Sequence, residues 1–114
     1  MNSVTFFKFC IVIYTDGSKK DNRIGSVAIM GRGSLTQHLP DEASIFSAEL
    51  RAVLLAFKYI DRSTYNKFII CIDSLFSLQA IRGLQLDNCI ILEIANKYTD
   101  ITNGEKTFVG YQVT

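Results

Sequence analysis

The sequence predicts a mixed α/β sheet, built as a three-stranded antiparallel meander followed by α/β crossovers, in a single domain over residues 1–114. Three observations predict it. The chain opens with three runs of strand character joined by links too short to hold a crossover, so those strands are antiparallel. A long run of helix formers, "IFSAELRAVLLAFKYI", follows the only proline, Pro40. "KFIICI" is then a continuous apolar run of the kind buried on both faces of a sheet, and helical segments follow it.

Residues 6–15 are aromatic and β-branched and read as the first strand, with the loop-like "DGSKKDN" after it. "IGSVAIM", 24–30, is the second strand, closed by Gly31-Arg32-Gly33, and "SLTQHL", 34–39, is the third. Ser44 is the expected N-cap of the helix over 45–60. The strand at 67–72 leads through Asp73-Ser74 into a helix over 74–82, which Gly83 stops. Residues 88–101 read as a third helix ended by Asn103-Gly104, and "EKTFVGYQV" begins a last strand. The expected order is β-β-β-α-β-α-α-β, with the strand at 67–72 parallel to the first strand and beside it.

Composition narrows the function classes. With 48% apolar residues and one proline the chain has the material for a core, which argues against disorder. A net charge of +1 gives no global basic field for nucleic acid, although a site that reads phosphates through metal ions needs none. Cys10, Cys71 and Cys89 form no CxxC or Cys/His cluster and read as buried reduced thiols, which suits an intracellular, reducing compartment. The apolar start is interrupted by Lys8 and lacks a small-residue cleavage site, and no run approaches the length of a membrane span. His38, the single histidine, reads as a strand-end or loop residue without a catalytic partner.

Three acids stand in costly positions. Asp16 and Asp73 each follow an apolar strand. If those strands are parallel neighbours, both carboxylates lie at one carboxyl edge, where open α/β sheets place ligands. Glu49 shares its helix face with Ala52, Val53, Ala56 and Ile60, a core-type stripe. Each acid has an ordinary alternative: a turn residue at Asp16-Gly17, an N-cap at Asp73, and a half-solvated stripe edge at Glu49. Together they describe three acids aimed at one edge of one sheet, for which a hard divalent cation with oxygen ligands is the simple resolution.

The stretches "YTDGSK", "SIFSAELRAVLLAF" and "FIICIDSLFSLQAI" resemble the first three motifs of the ribonuclease H family, and are most similar to the ribonuclease H domains of non-LTR retrotransposons. The resemblance runs from Ile11 onward and implies a ribonuclease H-like five-stranded mixed sheet. It makes Asp16, Glu49 and Asp73 the catalytic, metal-binding acids. It implies hydrolysis of the RNA strand of an RNA–DNA hybrid, with two Mg²⁺ (or Mn²⁺) ions about 4 Å apart. Asp16 would bridge both ions, while Asp73 and Glu49 would hold the leaving-group ion and Glu49 would also meet a ribose 2′-OH. Gly17, Ser18, Lys19 and Lys20, with Arg23 nearby, are candidate contacts to the hybrid, although a solvated charged loop is the plainer reading. Such a domain belongs to a larger retroelement polyprotein, with no membrane partner.

The family pattern continues with a histidine-bearing loop and a fourth acid on a C-terminal helix, and neither lies within residues 1–114. The expectation is therefore a domain whose last strand and final helix are incomplete, either a truncated chain or a decayed retroelement copy. An open apolar surface around Phe108 and Val113 and weak or absent activity would follow. Two other function classes stay open: an inactive remnant that retains only nucleic-acid binding, and a receiver-like phosphoacceptor domain. The opening meander argues against the receiver, which alternates β and α throughout.

Overall fold

The computed structural model describes residues 11–20, 23–30, 33–40, 43–63, 67–85, 87–104 and 106–113. The elements run β1 (Ile11–Lys20), β2 (Arg23–Met30), β3 (Gly33–Leu39), α1 (Ile45–Arg62), β4 (Lys67–Ile72), α2 (Leu75–Arg82), α3 (Cys89–Thr102) and β5 (Thr107–Val113). The five strands form one sheet in the order β3-β2-β1-β4-β5. β1, β2 and β3 pair antiparallel, whereas β4 pairs parallel with both β1 and β5. The expected order and the parallel β1–β4 pair are both present.

One boundary differs in a way that matters. The strand expected to end at Thr15 continues to Lys20, and Asp16-Gly17 is strand interior rather than a turn. Among the described residues β1 is paired with β4 over Ile11–Thr15, but β2 stays in register with it from Ile13 to Lys20. The hairpin partner supplies hydrogen bonds past the point where the parallel partner stops, so the turn chemistry of Asp-Gly is overridden. Residues 6–10 of the expected strand, and Cys10 with them, lie outside the described residues.

The helices form for the expected reasons. The Ser44 hydroxyl accepts the Ser47 N–H at 3.0 Å and caps α1, and Asn88 caps α3 by accepting from Ile90 and Ile91. The C-terminal end of α1 is closed by Lys106, whose ammonium donates to the carbonyls of Ile60 and Ser63 and stands 5.6 Å from the centre of the Phe68 ring. α1 buries Leu50, Val53, Phe57 and Ile60 against Ile13, Ala28, Phe68 and Ile70 of the sheet, and Ile91 and Ile94 of α3 join the same core. β4 is buried along its length except at Lys67, as its apolar run predicts. At β5 the register shifts, and Gly110 opposite Ile69 has φ +146°, a conformation only glycine adopts readily.

An open apolar surface is expected around Phe108 and Val113. Val113 is 37% exposed, while the side chain of Phe108 lies outside the described residues. Cys71 is buried and its thiol is pushed up by burial, but Cys89 is exposed at the first turn of α3, contrary to the buried reading. His38 sits on exposed β3, opposite Gly25. No helix among the described residues is long and apolar enough to cross a membrane.

Candidate active site

The site is built where β1 outruns β4. Thr15 is level with Ile72, and its buried hydroxyl donates to the Cys71 carbonyl at 3.2 Å, pinning the two strands together at that step. The next residue on each strand is an acid, Asp16 and Asp73. Both residues are exposed overall, although the Asp16 carboxyl is partly shielded from solvent. Asp73 does not cap α2: the Ser74 hydroxyl does, by accepting the Ser77 N–H at 3.1 Å. The capping alternative for Asp73 therefore does not hold.

Glu49 is brought to the same place by two neighbours on the sheet. Gly17 faces Ser26 across the β1–β2 pair. A Cβ on Gly17 would lie 2.4 Å from the Glu49 nitrogen and 2.5 Å from the Ala48 carbonyl carbon, so only glycine lets the start of α1 settle onto β1. Ser26, buried on β2, donates to the Ala48 carbonyl at 2.5 Å and fixes the helix at that contact. The close approach of α1 to the sheet thus occurs at Ala48, while Ala52, Val53, Ala56 and Ile60 of the core-type stripe are fully buried as expected. Glu49 is half-buried, and its Oε2 accepts the hydroxyl of fully buried Ser77 at 2.5 Å.

Electrostatics tie the three acids together. Burial raises the Asp16 carboxyl above its ordinary value, the negative charges of Asp73 and Glu49 raise it further, and the Gly17 N–H partly offsets them by hydrogen bonding. Among the described residues the ion pair is Arg51–Glu93, at 3.7 Å, and none involves these three acids. The donor set is all oxygen, anionic and mutually repelling, which is the chemistry that suits a hard divalent cation. The acids are neighbours but not a closed cage: among the described residues no three His, Cys, Asp or Glu side chains stand close enough to hold an ion together.

Ser18 and Lys19 are exposed on the overhang of β1, and Lys20 is level with Arg23 across the pair. These candidate contacts are strand residues of a hairpin end rather than a loop. Sequence reasoning missed Ser26 and Ser77. Each is the polar member of an otherwise apolar stripe, Ile24-Ser26-Ala28-Met30 on β2 and Ser77-Leu78-Ile81 on α2, and that pattern is the signal that marks them. A cavity of about 600 Å³, lined by Ile81, Ile91, Ile94, Tyr98 and Tyr111 among others, lies between α2, α3 and β5 and includes none of the acids.

No protein-family profile matches the sequence, and no curated protein matches it. Solved structures do. The N-terminal RNase H domain of Rv2228c from Mycobacterium tuberculosis superposes with a TM-score of 0.72 at 15% identity, covering 93% of this chain and 82% of that one. The fold is ribonuclease H-like. RNase H1 from the halophilic archaeon Halobacterium salinarum is similar too, with a TM-score of 0.61, 17% identity and coverage of 92% and 83%. In the ribonuclease H-like sheet of this chain, the acids stand at the end of β4 and beside it on β1, with Glu49 above them on α1.

Proposed function

We propose that the chain is a ribonuclease H-type nuclease that hydrolyses the RNA strand of an RNA–DNA hybrid, with Asp16, Glu49 and Asp73 as its metal-holding acids. The observation that carries this reading is that the β1–β4 pairing ends at Thr15 and Ile72, so that Asp16 and Asp73 follow at one sheet edge, where Gly17 seats the start of α1 and the backbone of Glu49 with it. The ribonuclease H-like fold and the three ordered motifs support it.

Divalent cations, Mg²⁺ or Mn²⁺, would be held by Asp16, Glu49 and Asp73, and when bound they supply an activated water and stabilisation of the leaving oxygen. The remaining work falls to the chain's own groups. Asp16, which feels the charges of both other acids, would be the ligand common to the bound ions. Ser18 and Lys19, exposed on the β1 overhang, steer hybrid phosphates toward the acids. Glu49, half-buried against α2, would accept a ribose 2′-OH, the group that separates RNA from DNA. The resemblance to non-LTR retrotransposon domains makes a retroelement polyprotein the natural context of such an activity.

The test is release of RNA fragments from a labelled hybrid, with RNA duplex and DNA duplex as controls, for the wild type and Asp16→Asn. The expected result is hybrid-selective cleavage that needs Mg²⁺ or Mn²⁺ and is lost in the variant. Cleavage that survives Asp16→Asn, or that ignores the RNA strand, overturns the assignment. Hybrid binding without any cleavage identifies the chain as the inactive remnant.

A further inference from the structure

The geometry points to Ser77 as a positioning residue for Glu49: its hydroxyl holds one carboxylate oxygen so that the other is left to meet a divalent cation at the acidic edge. The inference rests on the metal-dependent reading above and deepens it. Ser77 is fully buried, in a stripe of α2 where Leu78, Ala80 and Ile81 are also buried, and alanine there would fill nearly the same space. A buried hydroxyl costs desolvation unless it is bonded. The Ser77 Oγ donates to Glu49 Oε2 at 2.5 Å, a charge-assisted contact across the α1–α2 interface. Capping of α2 uses the backbone N–H of Ser77 and the Ser74 side chain, so the Ser77 hydroxyl is not part of that cap.

The bond has a directional consequence. Oε2 is occupied by Ser77, and Oε1 accepts no hydrogen bond among the described residues. A long, flexible glutamate is thereby reduced to one orientation, its backbone fixed by Gly17 and Ser26 and its far end fixed by Ser77. The bond also anchors the first turn of α2, which begins two residues after Asp73, to the element that carries Glu49. Two of the three acids are held in relation to one another by a single hydroxyl. Groups that orient metal ligands from behind in this way typically change affinity by about 10–100-fold when removed.

The experiment measures Mn²⁺ binding to the full 114-residue chain without substrate, by calorimetry and by the paramagnetic resonance signal of free Mn²⁺, well below the melting temperature. Wild type, Ser77→Ala, Ser77→Thr and Asp16→Asn are compared. Ser77→Ala is expected to weaken Mn²⁺ binding about tenfold, with its metal-free melt lowered by about 4–8 °C but the fold retained. Ser77→Thr, which keeps the hydroxyl, is expected to bind within about twofold of wild type; if the added methyl prevents folding, Ser77→Ala alone decides. Wild-type affinity retained in Ser77→Ala overturns the positioning role and leaves the metal reading standing. Failure of the wild type to bind Mn²⁺, or binding indifferent to Asp16→Asn, overturns the metal reading and the positioning role together.

Discussion

Replacing Gly17 with alanine tests the way the site is assembled. The added Cβ would lie 2.4 Å from the Glu49 nitrogen, 2.5 Å from the Ala48 carbonyl carbon and 2.8 Å from the Ala48 Cβ, where ordinary contacts begin at 3.4 Å. The atoms in the way are mostly helix backbone, which cannot swing aside as a side-chain tip does. The start of α1 must retreat by about 1 Å, a shift that stretches the 2.5 Å Ser26–Ala48 bond to the edge of hydrogen-bonding range. Overpacking of this kind costs about 1–3 kcal/mol and a weakened buried hydrogen bond about 1 more. For a domain of this size, a loss of about 2–4 kcal/mol lowers the melting temperature by roughly 10–25 °C. The assay is thermal unfolding followed by circular dichroism, with Gly33→Ala as the internal control. A Cβ on Gly33 meets nothing within 4 Å, so that variant should melt within about 3 °C of wild type. If Gly17→Ala melts as close to wild type as the control does, the argument that glycine seats α1 on β1 is refuted.

Asp16→Asn should stabilise the metal-free protein at neutral pH. The native Asp16 carboxyl is raised above its reference of 3.8, so the folded state binds that proton more tightly than the unfolded state. Its contribution therefore falls as pH rises from about 3.8 through the raised value, and the variant's advantage, under about 1 kcal/mol for so exposed a group, should vanish below pH 4 in a pH series of melts. Mg²⁺ at about a hundred times its dissociation constant should raise wild-type stability by about 2.7 kcal/mol and leave Asp16→Asn unmoved, read from melts with and without the ion. Ser26→Ala removes the hydroxyl that fixes α1 on β2, and chemical denaturation should report a loss of about 1 kcal/mol. Lys106→Met keeps the apolar stem over Phe68 but loses both carbonyl contacts at the end of α1, and the same titration should show a loss of about 1.5–3 kcal/mol.

Much of the architecture is legible along the chain because its signals are local. The strand Lys67–Ile72 and the start of α1 at Ile45 follow from an apolar run and a capping serine. The three acids are legible because charge beside apolar runs is conspicuous. What escaped notice depends on a second segment. Asp16-Gly17 looks like a turn until β2 is known to pair with it, and the steric need for Gly17 is invisible until Ala48 is placed upon it. Ser26 and Ser77 carry no individual signal, because a serine in a strand or helix is unremarkable until its position on the buried stripe is counted. The exposure of Cys89 escaped because the buried reading rested on the absence of a cysteine cluster, which says nothing of which side of the first turn of α3 the residue occupies.

β1 also sets the order in which the site can come into being. On one side it meets β2 across a gap of two residues, and on the other it meets β4, with Ile13 level with Ile70. The hairpin contact closes a short loop; the parallel contact closes a loop of more than fifty residues, which is entropically costlier and slower to form. The meander supplies Asp16 alone. Glu49 arrives when α1 docks on Gly17 and Ser26, and Asp73 only when β4 zips alongside as far as Thr15. Any fluctuation that peels β4 from β1 therefore disperses the acids while leaving the hairpin intact, and ion affinity becomes a reporter of this long-range strand pairing rather than of overall foldedness.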